Sequence, residues 1–387
     1  MLTSTRKMEI EDDVVKLNSA ESIRGLACLA VVFSHLSLTF FPYLHSADME
    51  SVAKSPIQSF IHHSPFAFWY SGTAAVFVFF VLSGFVLSYA ILRKPELVEY
   101  KIKTMLVKRY PRLAIPVLGS CLIAWATFKF FHIDSSRVYS WFHEFVSQYI
   151  TLKHAIYEGL IGSFFFAESD TNWVLWTMNI ELIGSLVLFV LLYLRQINQT
   201  LFFVGSIVFP LLAWWWKGEG FLLGILSFVI GIYYYLYGKQ LKLVPAVLLF
   251  LFGLYLAGAH NSSWSYQWIY AWMGERTYDY CNFFAGVCIV YAVLMSVNLS
   301  KHLDQRFLVW LGKLSFSIYL LHLMLIYLIA LPLFNYLSDH GVNYVVSALT
   351  ASLIFIGLTL FVAEFYSRWV DQFAIKISNG LANRIVK

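Results

Sequence analysis

The amino-acid sequence predicts an all-α, polytopic membrane protein with about ten transmembrane helices and with both termini in the cytosol. Hydrophobic residues make up 59% of its 387 residues and charged residues only 13%, whereas an average soluble domain has about 25% charged residues. The mean hydropathy is +0.68. Because a soluble protein of this length needs more polar side chains to cover its surface, lipid is expected to cover part of this one. The composition excludes a disordered chain, a collagen and a protein whose main role is nucleic-acid binding.

The predicted spans follow from the length of the apolar runs, since a helix that crosses a bilayer needs about 20 predominantly apolar residues. Ten runs reach or approach that length, and the fifth to seventh are short and interrupted by Gly or Pro. The runs cover about residues 24–44, 70–92, 113–131, 173–194, 200–216, 220–237, 244–258, 282–298, 311–331 and 344–367. We therefore expect a cytosolic N-terminal tail (1–23), a transmembrane domain (24–367) and a cytosolic C-terminal tail (368–387).

The Lys and Arg residues orient these spans. With the N-terminus in the cytosol, only six of the 27 Lys and Arg residues fall on the outer side, as the positive-inside rule requires. Those six are Lys54, Lys129, Arg137, Lys153, Lys217 and Arg276. The longest outer segment, about 132–172, carries Trp141, Phe142 and Phe145 at helical spacing. A helix that lies in the outer membrane interface is expected there.

Titratable side chains at bilayer depth are expensive, so each of them is a functional candidate. His35 in the first span, Glu181 in the fourth and His322 in the ninth all lie near mid-depth, judged from the helical rise of about 1.5 Å per residue. Because three such groups reach one level from three different helices, we expect a shared polar pocket. The alternatives are a hydrogen bond between helices for His35 and a structural hydrogen bond or ion pair for Glu181.

Basic residues gather near the cytosolic side of this predicted pocket. Arg24 lies eleven residues before His35, which places both on one face of a helix about 16 Å apart. Lys108, Arg109 and Arg112 lead from a cytosolic loop into the third span. Arginine and lysine bind phosphate groups well, and the phosphates of a ligand or of anionic lipids both fit this cluster.

Three other features have structural explanations. The four cysteines have no metal-ligand spacing, so neither a disulfide framework nor a bound metal is expected. Leu82-Ser83-Gly84-Phe85 places small residues inside a span, which is typical of close helix packing. Glu364 precedes Arg368 by four residues, and this spacing predicts an ion pair along one helix face.

Six segments occur in a fixed order along these spans. They are Arg24-Gly25-Leu26-Ala27 followed by His35, then Phe79-Phe80-Val81-Leu82-Ser83-Gly84-Phe85, Lys108-Arg109-Tyr110-Pro111-Arg112-Leu113, Trp176 followed by Glu181, Gly312-Lys313-Leu314-Ser315-Phe316-Ser317-Ile318-Tyr319-Leu320-Leu321-His322, and Glu364. Together they resemble the motifs of the membrane-bound acyltransferase family 3, from Ser22 to about Arg368. The chain departs from the family pattern after Glu364, where Phe365 and Tyr366 replace a nearby proline.

The resemblance implies an enzyme of the plasma or inner membrane, with its many spans in the lipid bilayer. Its co-substrate is expected to be acyl-CoA, by the commonest family case acetyl-CoA, bound from the cytosol without a metal. Its acceptor is expected to be a hydroxyl of a glycan or glycolipid outside. The implied catalytic residues are His35 as general base and Glu181 as the group that orients it. The implied donor-binding residues are Arg24, Lys108, Arg109, Arg112 and His322, and the acceptor-binding residues are Asn172, Trp173 and Trp176.

Two alternatives remain at this stage. A proton-coupled secondary transporter would use Glu181, His35 and His322 as a proton relay, since intramembrane carboxylates and histidines suit that task. Many transporters have two matching halves, and the sequence shows no such repeat. The other alternative is an acyltransferase of the same kind that acts on a lipid or a peptide.

Overall fold

The computed structural model describes residues 4–45 and 56–386, and within this part of the chain it contains helices and no strand. Nine helical stretches there are long and apolar enough to cross a membrane. They are Val15–Phe40, Gly72–Leu92, Pro95–Phe130, Trp176–Ile197, Gln199–Lys217, Glu219–Tyr237, Trp264–Leu294, Arg306–Asp339 and Tyr344–Ile385. The apolar helix Leu243–Ala257 is shorter. The all-α membrane fold with about ten spans is therefore confirmed.

The α-helices are numbered here in chain order. They are α1 (Ser4–Phe40), α2 (Pro56–His63), α3 (Gly72–Leu92), α4 (Val98–Phe130), α5 (Ser140–Ser147), α6 (Leu152–Tyr157), α7 (Trp176–Ile197), α8 (Gln199–Lys217), α9 (Glu219–Tyr237), α10 (Leu243–Ala257), α11 (Gln267–Met273), α12 (Thr277–Leu294), α13 (Val297–Leu303), α14 (Arg306–Leu325), α15 (Leu331–Asp339), α16 (Tyr344–Tyr366) and α17 (Gln372–Ile385). Glu158–Phe166, Ile326–Ala330 and Ser367–Asp371 are π-helical, and Pro42–His45, Pro65–Tyr70, Pro95–Leu97, Trp264–Tyr266 and Gly274–Arg276 are 3-10 turns.

Helices also occupy the predicted tails and the longest predicted outer segment. The first helix begins at Ser4, so much of the predicted N-terminal tail is helical, and α17 follows the last predicted span. The predicted helix around Trp141 is confirmed as α5, and Phe142 and Phe145 are its buried residues. Residues 1–3 of the predicted tail, together with Lys54 and Lys387 of the charge pattern, lie outside the described residues.

The chain divides into two compact units. Unit 1 comprises the residues up to Val31, His63–Ile102 and Ile183–Ser315. Unit 2 comprises Val32–His62, Lys103–Leu182 and the residues from Phe316 onward.

Unit 1 is packed through glycines that let helix backbones touch. A Cβ atom added to Gly84 of α3 would collide with the backbone oxygen of Phe228 and would lie 3.0 Å from the Cα of Gly231, both in α9. A Cβ atom on Gly25 of α1 would lie 2.7 Å from the backbone nitrogen of Gly312 in α14. Small residues at such contacts give helices in lipid their van der Waals packing. The close packing predicted around Gly84 is therefore confirmed.

Unit 2 contains a turn that determines the path of the chain before α7. After α6 the chain continues as the π-helix Glu158–Phe166, which ends at Ala167 in a left-handed conformation with φ of 62°. That conformation turns the backbone sharply. The chain then returns past Glu158, and the amide nitrogen of Thr171 donates to the Glu158 carboxylate at 2.8 Å.

Candidate functional site

Two of the predicted residues form a direct hydrogen bond in unit 2. The Nδ1 atom of His35 on α1 lies 2.8 Å from the Nε2 atom of His322 on α14. His322 is completely buried, whereas His35 is partly exposed. The Nδ1 atom of His322 lies 2.7 Å from the carbonyl oxygen of Tyr319 and 3.2 Å from that of Ile318. The sequence placed the two histidines at one depth, and the structure brings their rings together.

These contacts determine which ring nitrogen carries the proton. A carbonyl oxygen can only accept, so Nδ1 of His322 must be the donor to Tyr319. The Nε2 atom of the neutral His322 ring is then an acceptor, and Nδ1 of His35 donates to it. The neutral His35 ring therefore keeps its lone pair on Nε2, which is the state that a general base requires.

Aromatic rings hold the other side of His35. Trp141 of α5 stacks on the imidazole with 5.4 Å between ring centroids and 3° between planes. Trp173 packs edge-on against Trp141 at 5.4 Å, and Phe145 lies 5.3 Å from Trp173. The sequence predicted Trp173 as a site residue but assigned Trp141 only to an interfacial helix. Its helical spacing gave no sign that one ring turns toward His35.

The segment that leads into α7 is tied to α14. The side-chain nitrogen of Asn172, which is completely buried, donates to the carbonyl oxygen of Leu320 at 2.9 Å. The hydroxyl of Tyr319 lies 2.9 Å from Thr177 Oγ1 and donates to the carbonyl oxygen of Val174 at 2.9 Å. The first residue of α7, Trp176, is 44% exposed, so its indole remains accessible while Asn172 is held inside.

Glu181 is paired with Arg109 of α4. An Arg109 Nη2 atom contacts both the Glu181 carboxylate and, at 3.4 Å, the Glu181 carbonyl oxygen. Only 14% of either side chain is exposed, so each charge is compensated in a largely dry environment. The sequence assigned the orientation of His35 to Glu181, but the group hydrogen-bonded to the His35 ring is His322.

The predicted donor-binding residues lie in different surroundings. Lys108, Arg109 and Arg112 all lie within helix α4, which begins at Val98, and not in a loop. Arg112 binds Asp371 with both Nη atoms, the second at 3.3 Å, and 32% of its side chain is exposed. Lys108 makes no hydrogen bond or ion pair with the described residues.

Two further ion pairs involve residues that the sequence singled out. Arg24, in unit 1, pairs with Glu21 at 2.8 Å. The Glu364–Arg368 pair is confirmed, with 2.6 Å between Oε1 and Nη2.

Sequence reasoning missed Glu158. Its side chain is completely buried, and it accepts hydrogen bonds from the Thr171 amide at 2.8 Å, the Thr171 hydroxyl at 3.0 Å and the Asn172 amide at 3.4 Å. Burial raises the pKa of the Glu158 carboxyl, and the hydrogen bonds from Thr171 and Asn172 oppose that rise. The available signal was a lone carboxylate in the otherwise apolar segment 155–166.

His154 connects Glu158 with a second carboxylate. Its Nε2 atom lies 3.3 Å from Glu158 Oε2 and 3.3 Å from Asp170 Oδ2. These three residues offer ligand atoms within 4.8 Å of one another, a spacing that a metal ion can bridge. However, Glu158 Oε2 already accepts two hydrogen bonds from Thr171, which occupy both of its lone pairs. The geometry therefore fits a hydrogen-bonded cluster better than a metal site.

A comparison with protein families returns one match along most of the chain. A family model described as an acyltransferase domain matches residues 17–364. That range includes His35, Arg109, Glu181 and His322. No curated protein and no solved structure matches the chain significantly.

Proposed function

Since the chain belongs to the membrane-bound acyltransferase family 3 and is a membrane acyltransferase, we propose that it transfers an acyl group from acyl-CoA to a hydroxyl of an extracytoplasmic glycan or glycolipid. The observation that carries this proposal is the hydrogen bond from His35 Nδ1 to His322 Nε2. It leaves Nε2 of a neutral, partly exposed imidazole available as a base. Acetyl-CoA is the donor that we favour.

The reaction needs one base, and overall it neither takes up nor releases a proton. Nε2 of His35 takes the proton from the acceptor hydroxyl while the hydroxyl oxygen attacks the thioester carbonyl. The carbon–sulfur bond breaks, and the proton passes from His35 to the departing thiolate. The products are an ester and free CoA thiol. His322 holds the His35 ring in the required tautomer, as a carboxylate does in a catalytic triad, because its own Nδ1 is bound to Tyr319.

Lys108 and Arg112 are the strongest candidates on the donor side. The phosphates of acyl-CoA need accessible cations. Lys108 has no partner among the described residues, and 32% of the Arg112 side chain stays exposed beside Asp371. Only 14% of the Arg109 side chain is exposed, next to Glu181, so we assign Arg109 to holding α4 against α7. Arg24 lies in unit 1 and pairs with Glu21, so the phosphate role that the family resemblance implies for it stays a separate prediction. The Lys and Arg distribution supports a cytosolic location for this side.

Trp173 and Trp176 are the candidates for the acceptor side. The apolar face of a sugar ring packs well on an indole, and the exposed Trp176 and the Trp141–Trp173 pair offer such faces. Asn172 is committed to the Leu320 carbonyl, so we assign it to holding this segment rather than to binding the acceptor.

The test is a transfer assay with purified protein in lipid nanodiscs, labelled acetyl-CoA and a panel of envelope glycans, lipids and peptides. We expect His35→Gln to lower kcat by about 10²- to 10⁴-fold, the usual contribution of a general base, without raising KM for acetyl-CoA. The control is His340→Gln, because His340 is exposed. Transfer at the normal rate by His35→Gln would refute the base assignment. Labelling of a lipid or peptide alone would refute the glycan acceptor, and solute transport without transfer would refute the whole proposal.

A further inference from the structure

The completely buried carboxylate of Glu158 requires a physical explanation. Removing an ionised carboxylate from water is costly unless hydrogen bonds and charges compensate it. Hydrogen bonds compensate part of this cost at Glu158: its Oε2 atom accepts from the amide and hydroxyl of Thr171, its Oε1 atom accepts from the amide of Asn172, and His154 lies 3.3 Å away. Both carboxylate oxygens therefore hold the segment at residues 171 and 172.

The segment held by Glu158 reaches His35 through two aromatic contacts. Trp173 follows Asn172 directly and packs against Trp141 with ring centroids 5.4 Å apart. Trp141 in turn stacks on the His35 imidazole with nearly parallel planes. A shift of the 171–173 segment therefore moves the indole that covers one face of His35.

The same segment also reaches the second histidine. The side chain of Asn172 donates to the carbonyl oxygen of Leu320 at 2.9 Å, two residues before His322 on α14. The neighbouring Tyr319 carbonyl accepts the hydrogen bond from His322 Nδ1. Both members of the histidine pair are thus supported by residues that follow Thr171.

We propose that Glu158 is a positioning residue: by holding Thr171 and Asn172 it sets Trp173 against Trp141 and Trp141 against the imidazole of His35, so that His35 keeps one orientation. The catalytic consequence rests on the proposed function, whereas the placement of the ring does not. Glu158 does not contact the reacting atoms. It acts on the base through the loop and the two indoles.

The structure also shows why a carboxylate is required at this position. Each oxygen of Glu158 accepts a hydrogen bond from a backbone amide, one from Thr171 and one from Asn172. A glutamine has only one acceptor oxygen and a donor NH₂ group in place of the other. In Glu158→Gln at least one backbone amide would face another donor, while the size of the side chain stays the same. Thr171→Val is a milder variant, since it removes only the hydroxyl bond.

The experiment combines a spectroscopic and a kinetic measurement on the full chain in nanodiscs. The ring ¹⁵N and ¹H signals of labelled histidines are recorded, and the His35 signals are assigned by their loss in His35→Gln. We expect distinct Nδ1-protonated and Nε2-unprotonated signals for His35 in the unmodified protein. In Glu158→Gln we expect a shift of the ring protons, because the stacking on Trp141 is loosened, and averaging of the two nitrogen signals, because the Asn172 bond that supports α14 beside His322 is loosened as well. We expect Thr171→Val to cause a smaller change in the same direction.

The kinetic measurement separates positioning from donor binding. We expect Glu158→Gln to lower kcat by about 10- to 100-fold, the size of effect that a misplaced catalytic group produces, with KM for acetyl-CoA unchanged. The control is Glu144→Gln, because Glu144 is an exposed carboxylate on α5, three residues from Trp141. This control should change neither the His35 signals nor kcat.

The outcomes distinguish this inference from the proposed function. Unchanged His35 signals in folded Glu158→Gln would overturn the inference, even if kcat fell. If Glu158→Gln fails to fold, Thr171→Val decides in the same way. If the unmodified protein transfers nothing from acetyl-CoA, the proposed donor is wrong, and the His35 signals still decide whether Glu158 positions the ring.

Discussion

The contacts inside unit 1 differ in kind from those inside unit 2. In unit 1, helices meet at glycines, and Gly84 of α3 and Gly231 of α9 let the two backbones touch. The ion pairs Arg24–Glu21 and Arg276–Glu219 of this unit are partly exposed. Unit 2 contains a largely buried ion pair, Arg109–Glu181, together with the histidine pair and the buried carboxylate of Glu158.

The lipid that surrounds the helices explains this difference. Two apolar helices in lipid gain little from hydrophobic burial, so close van der Waals contact at small residues has to stabilise them. Buried charges add a desolvation cost that a scaffold does not need. In unit 2, the desolvation cost falls on the buried residues to which we assign the chemistry. We therefore interpret unit 1 as packing scaffold and unit 2 as the part that carries the site.

The largest loss of stability is expected when the buried ion pair of unit 2 is broken. Glu181→Gln leaves the Arg109 guanidinium buried without its counter-charge, and we expect a loss of about 3–5 kcal/mol in unfolding free energy. The double variant Arg109→Met/Glu181→Leu removes both charges and should lose markedly less. Chemical unfolding in detergent micelles, followed by circular dichroism, measures both. A loss below about 1 kcal/mol in Glu181→Gln would mean that unit 2 does not depend on buried charge.

The next effect tests the packing of unit 1. A Cβ atom on Gly231 would lie 2.6 Å from the Phe85 nitrogen and 2.7 Å from Gly84 Cα, so we expect Gly231→Ala to lose about 1–3 kcal/mol through overpacking. Gly220→Ala is a matched control in the same helix, because nothing lies within 4 Å of its added Cβ, and alanine should stabilise α9 slightly there. Thermal unfolding compares the two variants. Equal stability would contradict backbone contact as the basis of this unit. A lower transfer rate per folded molecule in Gly231→Ala would contradict the interpretation of unit 1 as packing scaffold.

The spans could be predicted from the sequence, but the contacts between them could not. Hydropathy and length define a spanning helix locally, and the run at 244–258 was therefore found even though its helix, Leu243–Ala257, is short. Depth is also local, which is why His35 and His322 were placed at one level. The rotation of each helix and its neighbours are tertiary properties. For that reason His35 was predicted as the partner of Glu181, whereas in the structure Glu181 pairs with Arg109.

The limits of sequence reasoning are clearest at Glu158 and Arg112. A single carboxylate in the apolar part of the predicted outer segment marks Glu158 but does not identify its partner, since only the turn at Ala167 brings Thr171 back to it. Arg112 could be identified as a cation near a predicted membrane boundary. Its partner Asp371 lies 259 residues further along the chain, in a segment that the sequence assigned to a tail.

A smaller effect concerns the pH dependence of unit 2. His45 lies 2.8 Å from the Ser37 hydroxyl, and burial, with a contribution from nearby His62, lowers its pKa from 6.5 to about 4. Between these values the unfolded chain binds more protons than the folded one, so stability falls as the pH drops below about 6.5 and the loss is complete near pH 4. From pH 7 to pH 5 we expect a loss of ~1 kcal/mol in unfolding free energy. The loss is smaller than the full pKa shift would give, because solvent screens the partly exposed His45 ring.

The variant His45→Gln should flatten this part of the stability profile. Thermal unfolding at half-unit steps of pH, compared with the exposed control His340→Gln, gives the result. A profile for His45→Gln that is as steep as that of the unmodified protein would assign the pH dependence to another group of unit 2.

The smallest effect is expected from an ion pair that is not buried. Arg368 pairs with Glu364 at 2.6 Å, but 71% of its side chain is exposed, and exposed pairs at this helical spacing contribute only about 0.3–0.5 kcal/mol. Arg368→Gln should therefore change the unfolding free energy by no more than about 0.5 kcal/mol, roughly a tenth of the effect of Glu181→Gln. The same unfolding assay decides, with 0.5 M salt added to screen the pair. If Arg368→Gln lowered the unfolding free energy as much as Glu181→Gln does, burial would not explain why ion pairs stabilise unit 2. The presence of charge alone would then have to explain the difference between unit 2 and unit 1.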